Sequence, residues 1–241
     1  MMQWVKKIHK WVSLLIGLQV FIWVLSGLIF NVIDHNKARG NTYRQAISAK
    51  QNIIAEKDLL PVESILAAYP DTIELTQTTL LSKPYYLLTK EQALYQHFAN
   101  SYQLVNAISG ELTIVDKQLA TDIAKASYNG PGDITSTTLL TGNIADFTKQ
   151  KNPSWQVNFS DKLQTSVYVE QGSGRLVGHS NSDKRFANFF FMLHFMDYGD
   201  EGSFNNIQII VFAFITLWLT LSGLVWTIYL LRLGKYHKKH I

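Results

Sequence analysis

Two long charge-free runs, one near each end, constrain this chain more than any other feature. Trp11–Ile33 is 23 residues without Asp, Glu, Lys or Arg, and Ile207–Leu231 is 25. About 20 predominantly apolar residues cross the hydrocarbon core of a bilayer as a helix. Helices that long and apolar on every side are a membrane signature more than a soluble core. The runs therefore read as membrane spans over 11–33 and 203–231. A cleavable signal peptide is the rival reading of the first. The run is long for one, and Ile29-Phe30-Asn31-Val32-Ile33-Asp34 offers no small-x-small cleavage site. A retained anchor is expected.

Charge placement gives the expected topology. The net charge of +4 hides a segregation: all 18 acidic residues lie between Asp34 and Glu201, with 15 of the 22 basic ones. The other basic residues are Lys6, Lys7, Lys10, Arg232, Lys235, Lys238 and Lys239, which flank the spans. Short basic flanks stay in the cytoplasm. Tails 1–10 and 232–241 are thus expected inside, and the middle outside, in a periplasm or equivalent space. Trp4, Trp11, Trp226 and Tyr229 fall where an interfacial aromatic belt would lie. Basic excess confined to two tails argues against nucleic-acid binding. The absence of Cys excludes a disulfide framework, a Cys zinc site and a thiolate iron–sulfur cluster.

The middle reads as an α+β domain. Residues 34–57 are polar and mixed and read as a linker. In 58–116, Pro61–Tyr69 has helical spacing between two prolines. Strands are expected at Ile73–Leu81, Tyr85–Thr89, Ala93–Phe98, Tyr102–Ala107 and Glu111–Val115. In 117–183, Lys117–Tyr128 reads as a helix, followed by strands at Thr135–Leu140, Trp155–Phe159, Thr165–Glu170 and Arg175–His179. The shared Ser-Gly-x-Leu at Ser109–Leu112 and Ser173–Leu176 suggests two copies of one helix-plus-antiparallel-meander unit. Residues 184–202 read as an aromatic-rich interfacial amphipathic helix and a turn. Each span also contains Leu-Ser-Gly-Leu, at Leu25–Leu28 and Leu221–Leu224. Ser-Gly permits close backbone approach and a hydroxyl bond, so each is expected to be a contact point between the spans.

Several of these segments, in order, resemble the PepSY-associated transmembrane helix proteins: Ile8-His9-Lys10-Trp11, Leu15-Ile16-Gly17-Leu18, Leu25–Leu28, Leu193-His194-Phe195 and Leu221-Ser222-Gly223-Leu224-Val225-Trp226. Ala107–Leu112 and Ser173–Leu176 look like its PepSY units. The resemblance covers most of the chain. It implies a two-pass bacterial inner-membrane protein with a periplasmic PepSY-like domain. Larger members with four or more spans include haem-containing reductases of iron–siderophore complexes. This chain has two spans, so a self-contained multi-haem path is in doubt, and pairing into a homodimer or with a partner membrane protein is implied instead.

Two functional classes are open. In one, the domain is an accessory module presenting a surface to a partner protein, a peptide or a ferric siderophore, with no catalytic residue. In the other, the chain is an oxidoreductase-like electron carrier with haem b. Haem needs one or two neutral imidazoles held in a bundle among aromatic rings. His9 and His194 are the leading haem-iron candidates, with His35 and His237 after them. One helix separates His9 and His194 by about 35 Å in depth. Each would therefore pair with its mate in a dimer, or His9 with His237 and His35 with His194. The bland alternatives are that His9 and His237 extend the basic tails and that His194 satisfies a carbonyl. No G-x-S-x-G elbow, H-E-x-x-H motif or phosphate loop occurs. The Asp197, Asp200 and Glu201 cluster lacks EF-hand spacing.

Overall fold

The computed structural model describes residues 2–47, 58–199 and 206–233. It divides into two compact units, 33–188 and the pair of segments 1–32 with 189–241. His237, Lys235, Lys238, Lys239, Asp200, Glu201 and residues 48–57 of the expected linker lie outside the described residues.

Helix α1 runs over Met2–Val32. The next unit opens with a single turn, α2 (His35–Ala38), capped by the Asp34 carboxylate, which accepts from the Asn36 and Lys37 amides. Two repeats of helix and meander follow. The first is α3 (Val62–Ala68), β1 (Glu74–Leu80), β2 (Lys83–Glu91), β3 (Ser101–Asn106) and β4 (Leu112–Thr113); the second is α4 (Lys117–Ala126), β5 (Ile134–Leu140), β6 (Ser154–Phe159), β7 (Ser166–Glu170) and β8 (Leu176–Ser180). Each repeat makes one four-stranded antiparallel sheet in sequence order. The α+β class expected from the pattern is the one observed.

Both repeats turn the same corner in the same way. The Gly110 amide donates to the Asn106 carbonyl and the Gly174 amide to the Glu170 carbonyl. Both glycines sit at positive φ, +74° and +69°, where a side chain is disfavoured. The hydroxyls of Ser109 and Ser173 accept from the amides of Glu111 and Arg175. The Ser-Gly pair is thus required by the turn, and its recurrence marks a structural repeat.

Packing follows from strand alternation. Tyr86, Leu88 and Val105 face α3 with Ile65. Tyr85 and Leu104, on the opposite face, join a larger core with Ala120, Ile123 and Ala124 of α4 and Val157, Phe159, Val167 and Val169 of the second sheet. The first sheet is therefore covered on both faces. Trp155 joins this core and donates its indole N–H to the Val115 carbonyl, 2.8 Å.

Three local expectations are corrected. Residues 93–98 form a turn-rich loop and not a strand. The Asn100 amide bonds the carbonyls of Tyr95, Gln96 and Phe98, and its oxygen accepts from the Ala93 amide, which holds the chain out of a ladder. The strand expected at Glu111–Val115 shrinks to two residues. The first part of the linker is part of the domain. Tyr43 packs edge-on against Tyr128, Ile47 joins the main core, and the Gln45 amide donates to the Ser127 carbonyl.

In the other unit, α1 meets the last part of α5 (Ser182–Phe195) and α6 (Ile207–Arg232). Residues 7–32 and 207–232 are two helices long and apolar enough to cross a membrane. Trp23 and Phe212 pack edge-to-face between α1 and α6, with centroids 5.4 Å apart. The Ser-Gly echo does not mark contacts between the spans. A side chain at Gly223 would meet open space, and Ser222 bonds back to the Leu219 carbonyl.

Candidate functional site

The best-defined polar constellation among the apolar helices surrounds His194. Helix α1 presents Gln19, Trp23, Ser26 and Phe30 at spacings of four, three and four residues, which places them along one face. The end of α5 presents Phe191, Leu193, His194 and Phe195. A helix leaves its last four carbonyls without internal partners, and water is scarce among such apolar helices. Here side chains supply the missing donors. Gln19 donates to the Leu193 carbonyl, 3.2 Å, and Asn206 to the Phe195 carbonyl, 2.8 Å. The Asn206 oxygen also caps α6 by accepting from the Ile209 amide. Gln19, Ser26 and Asn206 are all buried.

The imidazole is fixed from two sides. Ser26 Oγ lies 2.8 Å from His194 Nδ1. Its single proton goes to the Ile22 carbonyl at 2.7 Å, the shorter of its two backbone contacts. By that network Nδ1 carries a ring proton and donates to Ser26, which leaves Nε2 as the nitrogen not engaged by Ser26. Phe30 and Phe195 pack against the ring at 5.5 and 5.1 Å, and Phe191 packs on Phe30 at 4.8 Å. The constellation holds an imidazole by Nδ1 and directs it into an aromatic setting.

The other candidate residues are not gathered there. His9 is exposed on α1, 17 residues before Ser26 or about 25 Å along the helix axis. His35 is exposed at the start of α2, in the other unit. Among the described residues no group of three or more His, Asp or Glu is placed to hold a metal ion. Gln19 and Asn206 are the site residues that sequence reasoning passed over. Their signal was an uncharged amide at or near an apolar run.

The domain has two buried polar centres of its own. Glu170 Oε1 accepts from Gln150 Nε2 and Asn152 Nδ2, both at 2.8 Å, and from Arg175 at 3.1 Å; Oε2 accepts from the Ser173 hydroxyl. The second centre is His179, whose Nε2 lies 2.9 Å from Ser127 Oγ. Ser127 donates onward to the Ala124 carbonyl, so His179 is the donor to it. Burial, aided by the charges of Arg44 and Lys184, pushes the His179 pKa down to about 4. Both members of this pair are buried, and among the described residues His179 Nδ1 has no hydrogen-bond partner. Burial likewise lowers Lys184 to about 8, against the nearby Asp146, and its ammonium rests 3.2 Å from the Phe147 ring centroid. Tyr128 is pushed up to about 12, first by burial, with the Asp161 carboxylate that accepts its proton adding to the shift.

Comparison with family models, curated proteins and solved structures finds no match for this chain.

Proposed function

We propose that this chain is a two-pass inner-membrane protein of the PepSY type, with both termini cytoplasmic. The α+β domain is held in the periplasm and presented to a partner protein, a peptide or a ferric siderophore. The observation that supports this reading is the bracketing of one α+β domain by two long apolar helices, with basic residues at their outer ends. The absence of native Cys makes the topology directly testable. In intact spheroplasts a membrane-impermeant maleimide is expected to label Lys117→Cys on α4 and to leave Lys7→Cys on α1 unlabelled until the membrane is opened. The reverse pattern would reject it.

A specific observation also favours haem. His194 donates from Nδ1 to Ser26, which leaves Nε2 as the ligand nitrogen among Phe30, Phe191 and Phe195. The donor set of a haem-bound histidine is a neutral ring with its other nitrogen hydrogen-bonded. When bound, haem b would supply one-electron chemistry, and the chain would act as an electron carrier toward ferric iron. Detergent-purified protein from haem-replete cells is then expected to show a Soret band. His194→Ala should abolish its share of that band, and Ser26→Ala should weaken haem retention roughly 10-fold by freeing Nδ1. No band in the parent protein sinks the haem reading, and full retention in His194→Ala rejects this ligand.

A further inference from the structure

We propose that Lys184 is a nucleophilic amine that captures small uncharged aldehydes as a Schiff base, on the face of the second sheet turned away from α4. The inference goes beyond the membrane-module reading and does not rest on it.

Strand alternation sets the place. Val167 and Val169 of β7 join the core with α4, so Tyr168 and its cross-strand partner Gly178 face the other way. The β5–β6 connection folds over that second face. Its Phe147 ring lies on Gly178, where a Cβ would stand 2.7 Å from Cζ, and edge-on to Tyr168 at 5.1 Å. Lys184, in the first turn of α5, reaches the same spot. Its stem lies against Gly40, where an added Cβ would meet Lys184 Cδ at 3.3 Å. Its nitrogen donates to the Asp146 carbonyl at 3.1 Å and rests 3.2 Å from the Phe147 ring centroid. The residue remains partly exposed.

Lys184 is denied a counter-ion. The Asp146 carboxylate accepts from Arg185 at 3.1 Å and from the Tyr168 hydroxyl at 2.8 Å. Among the described residues no carboxylate lies within ion-pair reach of Lys184. Besides Asp146 and Tyr168, the titratable groups around it are Arg185 on its own helix and His179 on β8. An amine desolvated beside an aromatic ring and next to another cation gives up its proton readily and becomes a nucleophile. The lowered pKa of about 8 agrees with that geometry. An ammonium has three N–H bonds. One serves the Asp146 carbonyl and one faces the ring, so loss of the third leaves both contacts in place and opens a lone pair.

The chemistry balances without a co-reactant. The neutral nitrogen adds to the carbonyl carbon of the aldehyde, and its two hydrogens leave with the carbonyl oxygen as water. A solvent proton on the resulting imine restores a donor for the Asp146 carbonyl and a cation over the Phe147 ring. Nothing is oxidised or reduced. The ring gives the incoming group an apolar wall. Arg185 is occupied by Asp146 and by the Gln164 carbonyl and does not recruit an anionic group, which makes the class an uncharged aldehyde.

Formaldehyde is the probe, with cyanoborohydride to fix the imine as a methylamine that peptide mass spectrometry locates. At pH 7.5 about a quarter of an amine titrating near 8 is neutral, against about one in 800 for an ordinary lysine. Partial burial and lower intrinsic nucleophilicity offset part of that advantage. On the full chain in detergent, Lys184 is expected to be methylated about 10-fold faster than Lys117 and Lys125, which are exposed on α4. Arg185→Gln removes the like charge and releases an Asp146 oxygen for the ammonium. It should slow Lys184 about 5-fold or more at pH 7.5 and leave its rate at pH 10 unchanged, whereas a merely structural disturbance acts at both. The ranking of the three lysines needs no variant. A Lys184 rate no greater than those of Lys117 and Lys125 overturns the proposal. So does an Arg185→Gln rate that is not slowed at pH 7.5, or is slowed equally at pH 10.

Discussion

Replacing Glu170 by Ala is expected to destabilise the α+β domain by about 2–5 kcal/mol, from the buried donors that lose its carboxylate. Glu170 has no exposed surface and ends β7, where its carbonyl also takes the Gly174 amide of the Ser-Gly turn. Its carboxylate collects four donors from three places in the chain: Gln150 and Asn152 from the β5–β6 loop, Ser173 from the turn, and Arg175 from the residue before β8. With Ala, the amides keep their burial and lose their shortest acceptor, keeping the longer contacts of Gln150 to Ser154 and of Asn152 to the Gln96 carbonyl. Each such group costs about 1–3 kcal/mol if water does not reach it. The Arg175 guanidinium is partly exposed and can turn to solvent, so it contributes least. Glu170→Gln keeps the volume and one acceptor oxygen, and its cost is expected to be about half that of Ala. Denaturant melts followed by amide exchange in β6 and β7 measure both. A Glu170→Ala loss under about 1 kcal/mol would show that water already satisfies these donors. The equivalent position in the first repeat is Asn106, which accepts from the Ile108 and Ser109 amides alone. The same turn therefore carries a local cap in one repeat and a long-range clamp in the other.

What the sequence disclosed depended on how local the cause was. The apolar helices, the meanders and the Ser-Gly turns are legible because span length, strand alternation and positive φ act within a few residues. The segment 93–98 misleads because its aromatic and aliphatic residues imitate a strand, whereas one asparagine at 100 decides the backbone. Tyr43 and Ile47 look like linker residues until the core that receives them, made largely by residues 80–170, exists. The site divides in the same way. His194 stands out among its phenylalanines. Ser26 is visible as a small polar residue, but its partner is an imidazole 168 residues away and not the opposing span. Gln19 and Asn206 carry only the weak signal of an uncharged amide in or beside an apolar run. They become necessary only when the end of α5 is brought among the apolar helices and its carbonyls need donors.

Acid is expected to weaken the domain through His179 before it reaches the carboxylates. An unfolded histidine titrates near 6.5, whereas burial holds the folded one near 4. Between those values the unfolded chain binds more protons, so stability rises with pH across the window and is lost as pH falls through it. The full shift corresponds to about 3 kcal/mol, at 1.36 kcal/mol per pH unit. The geometry explains why the charged form is excluded. Nε2–H already serves Ser127, a proton on the buried Nδ1 would find no acceptor, and Arg44 and Lys184 bring like charge. The capping Asp34 and the Lys90-bonded Asp71 have lowered pKa values, and what they contribute is lost below their ordinary value of 3.8, which leaves the higher window to His179. Lys184, held near 8, shapes the opposite end of the profile: stability is expected to climb again as pH rises from about 8 toward 10.5, where the unfolded lysine still binds the extra proton. His179→Gln keeps a neutral amide beside Ser127 and should flatten the slope between pH 4 and 6.5 while leaving the alkaline rise in place. Urea midpoints taken from pH 4 to 10 separate the two. An unchanged acid slope in His179→Gln would assign the acid sensitivity to another group, and the buried imidazole beneath α4 would then be protonated at no cost, against its geometry.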